Sequence, residues 1–219
     1  MTDYSPTEPG DQIRLYSEAR LPTDKGDFDV QVFRCGSDAT EAVVISKGLN
    51  GAGLICKDNI FLRVHSECFT GEVLGSLKCD CKDQLEIALN QINMEGQGMV
   101  IYLRQEGRGI GLGNKIKAYH LQNEQGMDTI EANHALGFDE DLRDFSYAAK
   151  ILSYLGITKV RLNTNNPDKI NCLREYGLCV SQVVPSLAQV NPHNSAYLKT
   201  KYQKMGHTLS PLFQSPVSD

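Results

Sequence analysis

The stretch KVRLNTNNPDKINCLREYG, Lys159 to Gly177, constrains the fold more than any other part of the chain. A strand ends in polar residues; Asn166 can cap a helix, Pro167 suits the first helical position, and Gly177 can close the helix. A strand that feeds directly into a capped helix is the building unit of α/β proteins. The rest of the chain repeats the theme. GDFDVQVF puts Phe28, Val30 and Val32 on one face of a half-buried strand, and AVVISK, NIFLRVH, GMVIYLR and LCVSQVV are further strand candidates. QLEIALNQI spaces Leu85, Ala88, Leu89 and Ile92 as the apolar stripe of a helix. DFSYAAKILSYLG does the same through Phe145, Ala148, Ala149, Leu152 and Leu155 and closes at Gly156, while LGNKIKAYHLQNEQ and AYLKTKYQKM also read as helices.

The expected architecture is therefore α/β, a mixed β-sheet with helices packed on it in one layered domain. No repeat, linker or compositional break divides the chain, so residues 13–209 are expected to form the domain, flanked by flexible segments 1–12 and 210–219 rich in Ser, Pro and Asp. Which strands run parallel stays open at this level.

Hydrophobic residues at 41% and charged residues at 22% are those of a globular protein, and there is no apolar run of membrane length. The polar, acidic N-terminus does not read as a signal peptide, so a cytoplasmic location with reduced thiols is expected. A net charge of −5 argues against nucleic-acid binding. Bases are nevertheless concentrated locally: Arg104, Arg108, Lys115 and Lys117 share one stretch in which Glu106 opposes them, which suits a small anionic ligand.

Cys68, Cys79 and Cys81 form C-x10-C-x-C within ECFTGEVLGSLKCDC. A catalytic zinc typically has three protein ligands and an open fourth position, whereas a structural zinc is usually closed by a fourth Cys or His, commonly in paired C-x-x-C knuckles, absent here; His65, three residues before Cys68, is an adjacent candidate. The competing reading is three buried thiols acting as small hydrophobes. Lys78, Asp80, Lys82 and Asp83 make the surroundings polar, which favours the metal. If the segment is extended, Cys79 and Cys81 face the same side. Cys35, Cys56, Cys172 and Cys179 lie in apolar patterns and are expected in the core. RQEGRGIGLGNK, Arg104 to Lys115, follows a strand and leads into a helix, the setting of a phosphate cradle, but fits neither a P-loop nor G-x-G-x-x-G. A solvated flexible turn is the alternative.

Taken in order, RVHSECFTGEVLGSLKCDC, RQEGRGIGL, DTIEANHALGF, DLRDF, TNNPDK and KMGH resemble GTP cyclohydrolase II, the zinc enzyme that opens the guanine ring of GTP at the first committed step of riboflavin biosynthesis. The resemblance runs from about Leu21 to His207. It implies one catalytic Zn²⁺ on Cys68, Cys79 and Cys81, with an acidified water attacking C8 of the base and formate released. It implies GTP contacts at Arg63, Val64, His65, Ser66, Glu67, Gln84, Glu106, Gly107, Arg108, Thr129, Thr164 and Lys169, and Mg²⁺ on the triphosphate. Asp141 and Arg143 match a proton acceptor and a nucleophile at the α-phosphorus; the plainer alternative is that Arg143 neutralises phosphate while water attacks. Tyr119 matches a tyrosine of the ring-opening steps.

The product implied is 2,5-diamino-6-(5-phosphoribosylamino)pyrimidin-4-one, with formate and pyrophosphate. The alternative within the family is a paralogue that stops at the formylamino intermediate or uses another purine nucleotide; outside it, a zinc-stabilised nucleotide-binding module without catalysis. A homodimer is implied by the resemblance alone. The dihydroxybutanone-phosphate synthase module often fused to this family is not expected in this chain. Three departures stand out: Gly113 where an aliphatic residue is frequent, one extra residue between Tyr119 and Thr129, and a loose match after Val184. His120, His134, His193 and His207 are expected to be structural or exposed.

Overall fold

The computed structural model describes residues 13–36, 40–49, 58–139, 141–188, 190–204 and 206–208. The two end segments expected to be flexible, and Cys56, lie outside the described residues. Seven strands make one sheet: β1 (Ile13–Thr23), β2 (Gly26–Cys35), β3 (Thr40–Lys47), β4 (Asp58–Ser66), β5 (Gly98–Leu103), β6 (Lys159–Asn163) and β7 (Cys179–Val184), in the order β1-β2-β3-β5-β4-β6-β7. The helices are α1 (Phe69–Glu72), α2 (Cys81–Glu95), α3 (Gly111–Gln125), α4 (Thr129–Ala135), α5 (Ser146–Tyr154), α6 (Pro167–Glu175) and α7 (Ser195–Lys204), with a short 3-10 turn at Glu106–Gly109. The protein is α/β with a mixed sheet, as its sequence implies.

The sheet has two halves. β1, β2, β3 and β5 pair antiparallel, whereas β5, β4, β6 and β7 run parallel. Helical crossovers explain the second half: α2 returns the chain from β4 to β5, and α6 returns it from β6 to β7. β4 is covered on both faces. Ile60, Leu62 and Val64 join a core that includes Ala148, Ile151 and Leu152 of α5 and Leu173 of α6, while Phe61 packs on the other side with Ala88 and Ile92 of α2. β2 divides its burial similarly: Phe28 enters the α2-side core and Phe33 and Cys35 the other.

α6 forms as its caps dictate, with the Asn166 side chain accepting from Asp168 N at 2.8 Å, Pro167 in the first turn and Gly177 in the left-handed region at φ 77°. α4, not anticipated, carries a complete capping box between Asp128 and Glu131. β1 lies outside the strands expected from sequence; as an outer strand it packs Ile13 and Leu15 against the core and exposes the rest. Two expectations need correction. Cys79 and Cys81 do not sit on an extended segment; Asp80 caps α2, and Cys81 is its first residue. Cys179 is exposed at the start of β7, not core, whereas Cys35 is buried and Cys172 half-buried. No helix among the described residues is long and apolar enough to cross a membrane.

Candidate active site

The parallel strands β4, β5 and β6 end side by side at Ser66, Leu103 and Asn163, and the loops beyond them converge. Crevices at such strand ends are where open α/β sheets bind ligands. Two adjoining cavities lie there, of about 280 and about 60 Å³. They share Ser66, Cys81, Arg108, Arg143 and Tyr197 in their walls.

The larger cavity holds the cysteines. Cys68 follows β4, and the turn after α1 brings back Cys79 and Cys81, so that all three sulfurs lie within 4.8 Å of one another. Hydrogen bonds from the other two thiols, together with Lys115, hold Cys68 as thiolate, far below the usual thiol range. The contact with Cys68 pushes Cys79 up to about 11, and those with Cys68 and Cys79 push Cys81 well up. One thiolate is stable here without a cation; three would repel, and a dication removes that penalty. The surroundings fit an ion as well. Gly71 leaves room that a Cβ would fill, 2.9 Å from Cys79 Sγ and 3.2 Å from Cys68 Sγ. Gly71→Ala is accordingly expected to keep the fold but lower zinc stoichiometry after reconstitution, measured by elemental analysis beside a thermal melt. Full zinc occupancy would show that the cradle tolerates a methyl group.

Around the sulfurs, Lys115 Nζ donates to Cys68 Sγ at 3.1 Å and to Glu106 Oε1 at 2.7 Å. Glu106 also accepts from Phe69 N at 2.5 Å, which ties the 3-10 turn to α1. Tyr119 lines this cavity from α3; burial raises its phenol to about 12, with Lys115 opposing, and Thr70 hydrogen-bonds it. Thr129 faces the same cavity from α4, so the extra residue before it leaves both on one site.

Gly107 and Arg108 both have left-handed backbones, at φ 62° and 60°. Glycine adopts this freely, whereas Arg108 does so at a cost, a combination common at functional sites. Leu142 N donates to Arg108 O at 3.0 Å, clamping this turn to the segment carrying Asp141 and Arg143. Arg143 in turn donates through Nε to Asp141 Oδ1 at 2.8 Å, and its backbone N reaches the same oxygen at 3.1 Å. Burial would raise the Asp141 carboxyl, but Arg143 overrides it and holds it low; burial likewise works against the guanidinium charge, yet Asp141 raises its pKa further.

The smaller cavity is cationic. Arg63, Arg108, Arg143, Lys169 and Lys201 line it with Gln84, Thr164 and His207. Lys169 is buried and donates to Val64 O at 2.8 Å; burial, then Arg143, Arg63 and Lys201, push its pKa well down. Burial, then Lys201, Arg143, Lys169 and Arg108, depress His207 to about 3, so its imidazole is neutral at physiological pH. Ser66 Oγ and Asn166 Nδ2, in the cavity wall, are buried without a hydrogen-bond partner, as Gln122 Nε2 is in the larger cavity. Clustered cations and orphaned donors suit a polyanion.

Of the residues singled out from sequence, most line one cavity or the other. Val64 does not: its side chain belongs to the core and only its carbonyl points toward Lys169. Asp141 acts on the cavity through Arg143. His65 is buried, accepting at Nδ1 from Arg63 and donating from Nε2 to Glu72. Arg104 and Lys117 are exposed, and Arg104 lies 3.7 Å from both Glu41 and Glu67. Tyr197 and Lys201 carry no expectation from sequence, since their helix shows no motif pointing to a site built so far upstream; His207, expected to be structural or exposed, lines the smaller cavity.

Three comparisons bear on this site. The model of the GTP cyclohydrolase II family matches residues 14–185. The chain is 46% identical over 197 residues to a GTP cyclohydrolase-2 of Teredinibacter turnerae, covering 90% of this chain and 96% of that one. It is 48% identical over 200 residues to a GTP cyclohydrolase-2 of Salmonella typhimurium, covering 91% and 99%. It is also 52% identical over 189 residues to the riboflavin biosynthesis protein RibBA of Bacillus subtilis, 86% of this chain but about half, 46%, of that longer protein.

Proposed function

Because this chain belongs to the GTP cyclohydrolase II family, we propose that it opens the imidazole ring of GTP, releasing formate and pyrophosphate and leaving 2,5-diamino-6-(5-phosphoribosylamino)pyrimidin-4-one. One observation supports this above the others: a three-sulfur cluster in the wall of one cavity that adjoins a cavity lined by five basic side chains. A nucleoside triphosphate has the matching division, a base to hydrolyse and a polyanion to hold.

Cys68, Cys79 and Cys81 would hold zinc, which supplies Lewis acidity and water that is acidic enough to react near neutral pH. The protein does the rest. Glu67, Glu106 and Thr129 wall the larger cavity where the base would lie. Tyr119, with its phenol raised to about 12, keeps its proton at neutral pH and can donate it as the ring nitrogen leaves C8. Its presence favours complete removal of formate over arrest at the formylamino stage.

On the phosphate side, Asp141 orients Arg143, and Arg63, Arg108, Lys169 and Thr164 take up the remaining charge. In the covalent path, a nitrogen of Arg143 bonds to the α-phosphorus, the bond to pyrophosphate breaks, and Asp141 accepts the proton. A second path has Arg143 only neutralising charge while water attacks. The Asp141 pairing favours this second path, because it stabilises the protonated guanidinium that the covalent path must lose. Mg²⁺ on the triphosphate, a homodimeric state and a cytoplasmic location complete the proposal.

Incubation of the zinc-loaded protein with GTP and Mg²⁺, with both products quantified, tests it. Equal release of formate and pyrophosphate is expected. Pyrophosphate without formate would place the chain with the arrested paralogues, and GTP binding without turnover would make it a binding module.

A further inference from the structure

α7 delivers a charge to the site from beyond residue 185, where the family match ends. Lys201 is only 8% exposed, and its ammonium donates to Asp80 Oδ1 at 2.8 Å, across 121 positions of sequence. Asp80 lies between two of the clustered cysteines and is itself 1% exposed. Its other oxygen accepts from Gln84 Nε2 at 2.6 Å. Gln84 Oε1 accepts in turn from Arg63 Nη2 at 2.5 Å, and Arg63 Nη1 donates to Asn163 Oδ1 at 3.0 Å. Lys201, Gln84 and Arg63 all line the cationic cavity.

The helix is held in this position. Thr208 N donates to Asn165 O at 2.9 Å, His207 N to Lys201 O at 3.1 Å, and Leu198 is fully buried. The segment leading to it is pinned by Asn165, whose side chain bonds Ser186 at both N and O. Tyr197 and Thr200 face the larger cavity from the same helix.

A buried carboxylate beside a phosphate site is a liability: it repels the ligand and competes for its cations. Asp80 would attract Arg63 first, the cation with which it already interacts through space. We propose that Lys201 is a positioning residue for the substrate phosphates, neutralising Asp80 so that this carboxylate holds Gln84 and leaves the Arg63 charge to the polyanion. α7 thereby completes the phosphate cavity. The inference rests on the GTP reading for the identity of the polyanion, but not for the cavity's affinity for one.

The test measures KM and kcat for GTP, and affinity for inorganic pyrophosphate by calorimetry, on Lys201→Met, Lys201→Arg and the double variant Lys201→Met with Asp80→Asn. Lys201→Met should raise KM and weaken pyrophosphate binding about tenfold or more, with a smaller change in kcat. Lys201→Arg should restore most of the loss. Asp80→Asn placed on Lys201→Met should also restore it, because the uncompensated carboxylate is then gone. A KM and pyrophosphate affinity unchanged in Lys201→Met, or a double variant no better than the single one, overturns the proposal. Should Lys201→Met fail to fold, recovery of fold and affinity in the double variant supports it, and failure of both overturns it. If the wild type binds pyrophosphate but leaves GTP intact, the functional reading fails while the charge-pair proposal is still decided by the calorimetric arm.

Discussion

Cys79→Ser is expected to abolish formate release from GTP while leaving the protein folded. Serine is nearly isosteric with cysteine, but its hydroxyl does not ionise near neutral pH and is a poor zinc ligand. Cys79 Sγ lies 3.6 Å from Cys68 Sγ, so its loss removes one corner of the donor set without opening a large cavity. Formate release should fall by about three orders of magnitude or more, as for loss of the group that activates the attacking water. Zinc content should fall in parallel. Far-ultraviolet circular dichroism should change little, because both apolar cores lie on the sheet faces and include none of the three cysteines. A variant that loses zinc yet keeps releasing formate would separate the cluster from the chemistry.

Arg143→Ala should remove pyrophosphate release. Arg143 lines both cavities and its guanidinium holds the half-buried Asp141 carboxylate, so alanine leaves that carboxylate, among the hydrogen bonds described, with the backbone N–H of residue 143 alone. Losing both the cation and its shielding of Asp141 should cost about 10² to 10⁴ in rate. The two paths for Arg143 diverge in a trapping experiment. With GTP labelled at the α-phosphate and an alkaline quench that spares P–N bonds, the covalent path leaves label on wild-type protein. The charge-neutralising path, favoured by the Asp141 pairing, leaves none. If Arg143→Ala released pyrophosphate at the wild-type rate, the smaller cavity would not be the phosphate site.

Much of this site is legible in the sequence because its chemistry sits in short, locally ordered motifs. The cap at Asn166, Pro167 in the next position and Gly177 at the far end specify α6 and with it the position of Lys169. The cysteine spacing indicates a metal but not the local geometry: α2 begins at Cys81, and it is the helix start at Asp80, not an extended pleat, that turns the sulfurs together. What local pattern does not carry is long-range pairing. β1 is hard to place because, as an outer strand, it buries little beyond Ile13 and Leu15. The parallel half of the sheet depends on which side of β4 each crossover returns to, a tertiary choice. Lys201 lies in a helix whose sequence is mostly polar, and only its contact with Asp80, far upstream, shows that this lysine is buried. Val64 shows the converse: within a motif of contacts, strand alternation turns one side chain into the core between Arg63 and His65, which face the site.

The account as a whole depends on zinc at the three cysteines acting on the base of GTP. Metal-free protein titrated with Zn²⁺, with formate and pyrophosphate measured at each step, tests that directly. Formate release should rise in proportion to bound zinc and reach its plateau at one ion per chain, with pyrophosphate affinity present throughout. Formate released at full rate by the metal-free protein, or a plateau that does not follow zinc occupancy, would contradict it.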